Sequence, residues 1–357
     1  MSTRPRPIRV GIVGAGSIAR TRHLPGLLAI PGVEIVAVCN RSRDSASRIA
    51  REWNIPRVHG AWESLVEDES IDAVVVGAWP YLHYPVTLAA LDAGKHVLTQ
   101  ARLAMSAREA QRMHDKALEK PELTAMVVPS PYGLTGDELL RRMIEDGFLG
   151  SLRELHVTGM NADLADPLAP IGWRQRARYS GFNMLTLGIL HETAARWTAP
   201  ATRVWAWALK TIPERVEPES GERVRVGTPD SVQVVTTQAD GSRGLYRLSG
   251  VTWHAPGLSI EMYGSHGTIR YDLSKDRILA ARRDEGDLRE LVVPEELRGR
   301  WRVEEEFIAA IRGEEPVRRS TFADGVRYMQ FTEAVARSSR HQIPVDLPLT
   351  EFSHPGI

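Results

Sequence analysis

One cysteine, Cys39, is all the thiol that this chain of 357 residues carries, and it lies inside the apolar run VEIVAVC. An internal disulfide framework is excluded, and a reducing compartment is the expected setting. Long apolar runs are missing as well. No window approaches the roughly 18 residues that a membrane-spanning helix needs, and MSTRPRPIRV leads from arginines straight into a strand pattern without an apolar segment. Charge of one sign is not in excess, because 45 Lys and Arg stand against 45 Asp and Glu. With no basic run either, neither nucleic acid nor a membrane surface is implied as a partner. The histidines are scattered without metal-ligand spacing, so no metal is expected. These absences together predict a cytoplasmic protein.

What is present is an alternation. IRVGIV (8–13), VEIVAVC (33–39), DAVVVG (72–77), HVLT (96–99) and LTAMVV (123–128) are short, Val/Ile-rich and nearly continuous, as strands buried on both faces are. Helical patterns fall between them, near 17–30, 43–53, 83–93 and 106–119. Strand and helix in this order predict an α/β fold with a doubly wound parallel sheet of the Rossmann kind over residues 1–128. A helix near 136–146 follows, and then the rhythm changes. Strand patterns at 152–160, 203–210, 230–238, 244–252, 258–263 and 267–272 predict a second α/β domain, 129–357, with an open, largely antiparallel sheet. SHG between LSIEMYG and GTIRYDL marks a hairpin. Two late helices, near 299–313 and 319–339, close the chain.

The most informative motif is GIVGAGSIARTRHLPGL. Gly14, Gly16 and Ala19 have G-x-G-x-x-A spacing between a strand and a helix. Gly14 permits the tight turn, Gly16 lets the backbone approach a pyrophosphate, and the helix head at Ser17 and Ile18 offers N–H groups and a positive dipole to the anion. A glycine triplet alone is a weak signal, but here the strand, turn, helix and second strand stand in the required order. The end of the second strand reads CNRSRD, where a carboxylate would grip the ribose of NAD. Asn40, Arg41, Ser42 and Arg43 stand there instead, and since arginine and serine can bind a 2′-phosphate, NADP(H) is favoured over NAD(H) within an NAD(P) site. Asn40 can still bond a ribose hydroxyl, and the plainer alternative makes the arginines solvated residues at a helix start.

These motifs, with GAWPYLHYPVTLAALDAGKHVL, IEDGFLGSLREL, MYGSHGTIRYD and EEFIAAIRGEEP in the same order, resemble the glucose-fructose oxidoreductase, inositol dehydrogenase and MocA (Gfo/Idh/MocA) family along nearly the whole chain. The resemblance implies NAD(P)-dependent redox chemistry on a small-molecule polyol or sugar-like substrate, and a homo-oligomer built through the open sheet. It implies that Trp79 and His83 lie on the nicotinamide side. It also implies two motifs from which this chain departs. The family's Glu-Lys-Pro falls on Gln100-Ala101-Arg102, so the lysine that helps move the alcohol proton is replaced by alanine. The family's aspartate and histidine, four residues apart on a helix, fall on Thr186 and Leu190 when Gly188 is matched.

Hydride transfer to or from an alcohol carbon needs a partner for the hydroxyl proton. Arg102 stays protonated, so it is read as binding a substrate anion or steadying an alkoxide, or alternatively as a structural ion pair. Gln100 keeps the ability to bond the nicotinamide ribose. Asn183, Leu187 and His191 are spaced by four, and His191 follows the family's histidine position, about 100° further round a helix. A slip or bulge of one residue would bring it back. His191 is therefore the candidate acid/base, against the alternative of a hydrogen-bonded core histidine. Tyr179, in GWRQRARYSG, is a second proton-relay candidate. The expected activity is an NAD(P)-dependent oxidoreductase. The alternatives are a lyase or glycoside-cleaving enzyme using transient oxidation, and a non-catalytic cofactor or sugar sensor.

Overall fold

The computed structural model describes residues 6–129 and 134–352, and they form two compact units. In the first, six strands pair in the order β3-β2-β1-β4-β5-β6: β1 (Ile8–Val13), β2 (Val33–Cys39), β3 (Arg57–Val58), β4 (Ala73–Val76), β5 (His96–Thr99) and β6 (Ala125–Val127). Every pairing is parallel. Val10, Ile12, Val74, Val76, Val97 and Leu98 are buried, which is why these strands lack polar alternation. Chain order reverses across β1 and β4, and the carboxyl ends of strands at such a reversal are where a doubly wound sheet binds ligands. Helices Arg43–Trp53 and Ala107–Leu118 start at Ser42 and Ser106, whose side chains accept from the N–H groups of Ser45 and Glu109.

The first unit also takes back Arg302–Val326, a stretch beyond the 128/129 boundary read from the sequence. The physical cause is explicit. Val127 N–H donates to Ser320 O at 3.0 Å, Met126 bridges Thr321, and helix Val303–Ile311 packs on helix Leu24–Leu28. This segment covers the free edge of β6.

The second unit holds a nine-stranded sheet. Its members are β7 (Leu152–Met160), β8 (Ala201–Leu209), β11 (Ser231–Gln238), β12 (Arg243–Ser249), β13 (Gly257–Gly264), β14 (Gly267–Asp272), β15 (Arg277–Arg282), β16 (Arg289–Glu290) and β17 (Val345–Asp346). A separate ribbon pairs β9 (Glu214–Val216) with β10 (Arg223–Arg225). The large sheet runs β16-β15-β14-β13-β7-β12-β11-β8-β17, with only β7 and β12 parallel. It is thus mixed and mostly antiparallel, and β13 and β14 form the hairpin expected at SHG. Val232, Val234, Tyr246 and Leu248 point to the buried face. Ser338, on the helix that ends at His341, accepts from Ala206 N–H on that face. Among the described residues no helix is long and apolar enough to cross a membrane, and no cluster of His, Cys, Asp and Glu has the makings of a metal site.

Candidate functional site

The glycine turn shows why two glycines do different jobs. Gly14 has φ of +88°, and a Cβ there would stand 2.4 Å from Ala78 N, so conformation and crowding both demand glycine. A Cβ on Gly16 would meet nothing within 4 Å. The space beside Gly16 is therefore not needed by the protein, and an anion can approach the backbone N–H groups of the turn through it. A groove of about 450 Å³, lined by Gly16, Ser17, Arg20, Ser45, Arg48 and Glu52 among others, opens next to it. Ser17 is exposed and Ile18 half-buried, where the chain enters a π turn, Ala19–His23. These features fit a dinucleotide.

Several residues expected to touch the dinucleotide are engaged with the protein. Asn40 Oδ1 accepts from Ala15 N–H at 2.7 Å, and its amide donates to Ser45 Oγ at 3.0 Å, so Asn40 shapes the turn. Ser42 is committed to its helix cap. His83 is buried with Nδ1 2.8 Å from Arg102 O and Nε2 2.9 Å from Ala78 O. The ring lies between the loops after β4 and β5, and as a neutral imidazole its one N–H can donate to only one of these carbonyls. Burial is the largest influence on the His83 imidazole and holds it below its ordinary value. Arg41 is exposed, and its guanidinium lies over the half-buried Trp79 ring, 5.4 Å from the centroid. Those two side chains form a clip across the carboxyl ends of β2 and β4.

Gln100 ends β5, its N–H bonded to Val76 O at 3.0 Å. The peptide between Ala101 and Arg102 is cis. The Gln100 side chain joins two residues to which sequence reasoning assigned no role. Its Nε2 lies 3.0 Å from His23 Nε2, and His23 Nδ1 lies 2.5 Å from Glu304 Oε1. All three side chains belong to the first unit and are buried. The partners His23 and Glu304 are 281 residues apart, so no spacing rule links them.

In the second unit, helix Leu187–Ala194 is a regular α-helix without slip or bulge. It does not extend back to Asn183, because Leu185 sits at φ of +58° and interrupts the helical path. The face of Asn183, Leu187 and His191 expected from the spacing is therefore not formed. Asn183 is instead tied to Arg174 O at 2.8 Å. Leu190 and Thr186 lie against Gly159 of β7, and the buried Thr186 Oγ1 finds no hydrogen-bond partner. His191 points elsewhere, stacked on Phe331 at 3.4 Å and 3° and with Nδ1 3.0 Å from Tyr246 Oη. Burial pushes the His191 imidazole down to about 3 and the Tyr246 phenol up. The phenol therefore donates and the neutral ring accepts, and a ring held so far below neutrality is a weak base.

The loop before this helix is self-bonded. Arg174 O accepts from Ser180 and Thr228 as well as Asn183, while Arg176 pairs with Glu217. Tyr179 is half-buried beneath the Arg178 guanidinium, 4.7 Å from its ring centroid. Arg215 is buried and donates to the carbonyls of Leu164, Asp166 and Ala169, pinning the preceding stretch.

Comparison with known proteins agrees with this architecture. A family model described as the oxidoreductase family with NAD-binding Rossmann fold matches residues 8–146, and the GFO/IDH/MocA C-terminal domain matches 138–270. Levoglucosan dehydrogenase of Pseudarthrobacter phenanthrenivorans is 24% identical over 311 residues, covering 79% of this chain and 78% of that protein. A dTDP-3,4-didehydro-2,6-dideoxy-alpha-D-glucose 3-reductase of Streptomyces violaceoruber is 31% identical over 188 residues, 52% of each chain. An uncharacterized oxidoreductase of Rhizobium meliloti, ORF334, is 28% identical over 204 residues, 56% of this chain and 59% of its own, so several of these matches span little more than half of the relative. A solved structure of levoglucosan dehydrogenase with NADH and levoglucosan superposes with a TM-score of 0.83 at 22% identity, over 96% of this chain and all of that one. At that identity the likeness speaks for the fold. Two consecutive family domains and a shared fold over nearly the full chain, joined to a glycine turn with room beside it, place this protein in the Gfo/Idh/MocA oxidoreductase family, with an NAD-binding Rossmann domain at its head.

Proposed function

We propose that this protein is an NAD(P)-dependent oxidoreductase that interconverts an alcohol and a ketone on a sugar-like or cyclic polyol. The observation that carries the reading is the open flank of Gly16 beside a turn that Gly14 and Asn40 hold rigid. Backbone N–H groups from Gly14 to Ile18 would bind the pyrophosphate. Arg41, over the Trp79 ring, would clasp the adenosine end and favour a 2′-phosphate and hence NADP(H), which reads Trp79 at that end and not on the nicotinamide side where the resemblance put it. His83 would act at one remove, by packing between the two loops and donating to one of their carbonyls, and Gln100 would meet the nicotinamide ribose.

Nicotinamide supplies or accepts the hydride when bound. The chain's own residues must bind the polyol, orient its carbinol carbon and exchange the hydroxyl proton. Ala101 has no group for that exchange, and Arg102 is suited to steady an alkoxide rather than to take a proton. Tyr179 is the proton-exchanging candidate. His191 serves better as a packed, neutral anchor for the helix than as a base, given its stacking on Phe331. The sugar names of the relatives favour the same substrate class. The exposed apolar side chains Trp205, Trp207, Leu209, Val235 and Leu245 on one sheet face support a homo-oligomer; sedimentation as a single protomer would remove that part.

The test is a titration with NADH and NADPH, followed by polyols, sugars, cyclitols and their keto forms while nicotinamide absorbance is read. Tight dinucleotide binding with a substrate-dependent change is expected. Tight binding with no change for any alcohol or ketone would overturn the oxidoreductase reading in favour of a closed redox cycle or a sensor. Tyr179→Phe should lower turnover by roughly 100-fold or more with little change in dinucleotide affinity.

A further inference from the structure

The buried row Glu304, His23 and Gln100 has an internal logic that the glycine turn does not use. Glu304 Oε1 is 2.5 Å from His23 Nδ1, and a carboxylate accepts, so Nδ1 carries the hydrogen. The other ring nitrogen is then left to accept, and the Gln100 amide nitrogen stands 3.0 Å from it. Which end of the Gln100 amide faces the ring is fixed independently. Ala101 N–H donates to Gln100 Oε1 at 3.2 Å, a bond that the amide's NH₂ end could not accept. Each member thus dictates the orientation of the next.

The chain invests in this row. His23 is fully buried and Glu304 2% exposed, a costly place for a carboxylate unless it is hydrogen-bonded. Gly26 makes the space, since a Cβ there would lie 2.8 Å from Glu304 Oε2. A π turn at Ala19–His23 swings His23 into the interior from the same helix whose head faces the dinucleotide.

We propose that His23 and Glu304 are positioning residues for Gln100: the carboxylate selects the imidazole tautomer, and the tautomer turns the Gln100 amide so that its carbonyl oxygen, not its NH₂, is presented on the nicotinamide side. This rests on the reading that Gln100 borders the nicotinamide ribose. Glutamine at position 100 is then matched to a ring with a bare nitrogen. Glutamate there would set a second carboxylate on His23 and force both ring nitrogens to carry hydrogen.

The experiment is a double-mutant cycle in the full-length protein with NADH affinity as the readout, joined to ¹⁵N spectra of histidine-labelled wild type. Gln100→Ala and Glu304→Leu, which leaves His23 Nδ1–H no acceptor, are each expected to weaken NADH about tenfold, the loss of roughly one well-aligned hydrogen bond. Together they should do no worse than Gln100→Ala alone, because Glu304 acts through the amide. Additive losses, or none from Glu304→Leu, would reduce the pair to a stitch between segments and overturn the proposal alone. No loss from Gln100→Ala would overturn both the proposal and the placement of Gln100. The spectra stand even if Glu304→Leu fails to fold. His23 should show hydrogen on Nδ1 only, and hydrogen on Nε2 in the wild type would overturn the tautomer assignment. Gln100→Glu should shift that signal to a ring protonated on both nitrogens.

Discussion

Gly16 and His191 mark how differently the two units treat polar chemistry. Around Gly16 the first unit leaves room beside donors already aligned by the backbone, and nothing of the protein lies within 4 Å of where a side chain would begin. Around His191 the second unit leaves little: Phe331 stacks on the ring, Tyr246 occupies a nitrogen, and the nearby loop spends its groups on Arg174 O. A site made of backbone needs only the right glycines and survives wide changes in sequence. A site made of side chains needs particular residues with free valences, and here the residues at the inherited positions, Thr186 and Leu190, lack ionisable groups. The backbone turn therefore keeps what a dinucleotide needs, whereas Thr186 and Leu190 bring no proton-exchanging group to their positions.

The comparison breaks first at the glycines. Gly14→Ala is expected to cost roughly 3–5 kcal/mol by combining a positive φ with overpacking against Ala78, read by denaturant unfolding. Gly16→Ala should leave unfolding almost unchanged but weaken NADH tenfold or more; unchanged affinity would show that the open flank is not where the anion lies. A smaller effect is expected at His191. Its folded value of about 3 lies below the ordinary 6.5, so the neutral form stabilises the fold above pH 6.5 and that contribution is lost as pH falls toward 3. Wild type should lose about 2 kcal/mol more than His191→Gln between about pH 7.5 and 4.5, allowing for partial exposure of the ring. Equal losses would mean that the ring is solvated and available for proton exchange. The smallest effect on NADH belongs to Arg41→Ala. Losing an exposed cation–π contact is worth about 0.5–1 kcal/mol, a few-fold in NADH affinity, whereas NADPH should suffer at least tenfold more. Equal losses would leave the cofactor preference without support at Arg41.

The same contrast governs what could be read in advance. The five longer strands of the parallel sheet were legible because burial on both faces writes itself as unbroken Val and Ile, and the β13–β14 hairpin because Ser265-His266 and the flanking glycines break two alternating runs. The two-residue strands β3 and β17 and the charged β9–β10 ribbon carry too little apolar pattern to register. Spacing by four suggested one helical face for Asn183, Leu187 and His191, and a single left-handed residue, Leu185, undid it. Motif reading assigned Asn40, Ser42 and His83 to the dinucleotide; in the structure each holds protein groups that surround that place. His23 passed unnoticed because a lone histidine on an apolar helix face gives no hint of its partner.

That partner's position in the chain bears on how the protein is made. A ribosome releases residues in order, and Glu304 emerges long after the glycine turn, β1 to β6 and the whole of the nine-stranded sheet. Until it arrives, His23 has no carboxylate and β6 has no cover from Ser320 and Thr321. A nascent chain can therefore build the parallel sheet early but cannot finish its interior, and the last step of maturation in the first unit waits on a segment synthesised near the end. Fragments that stop at the apparent domain boundary would carry an intact nucleotide fingerprint together with a His23 that has Gln100 but no carboxylate.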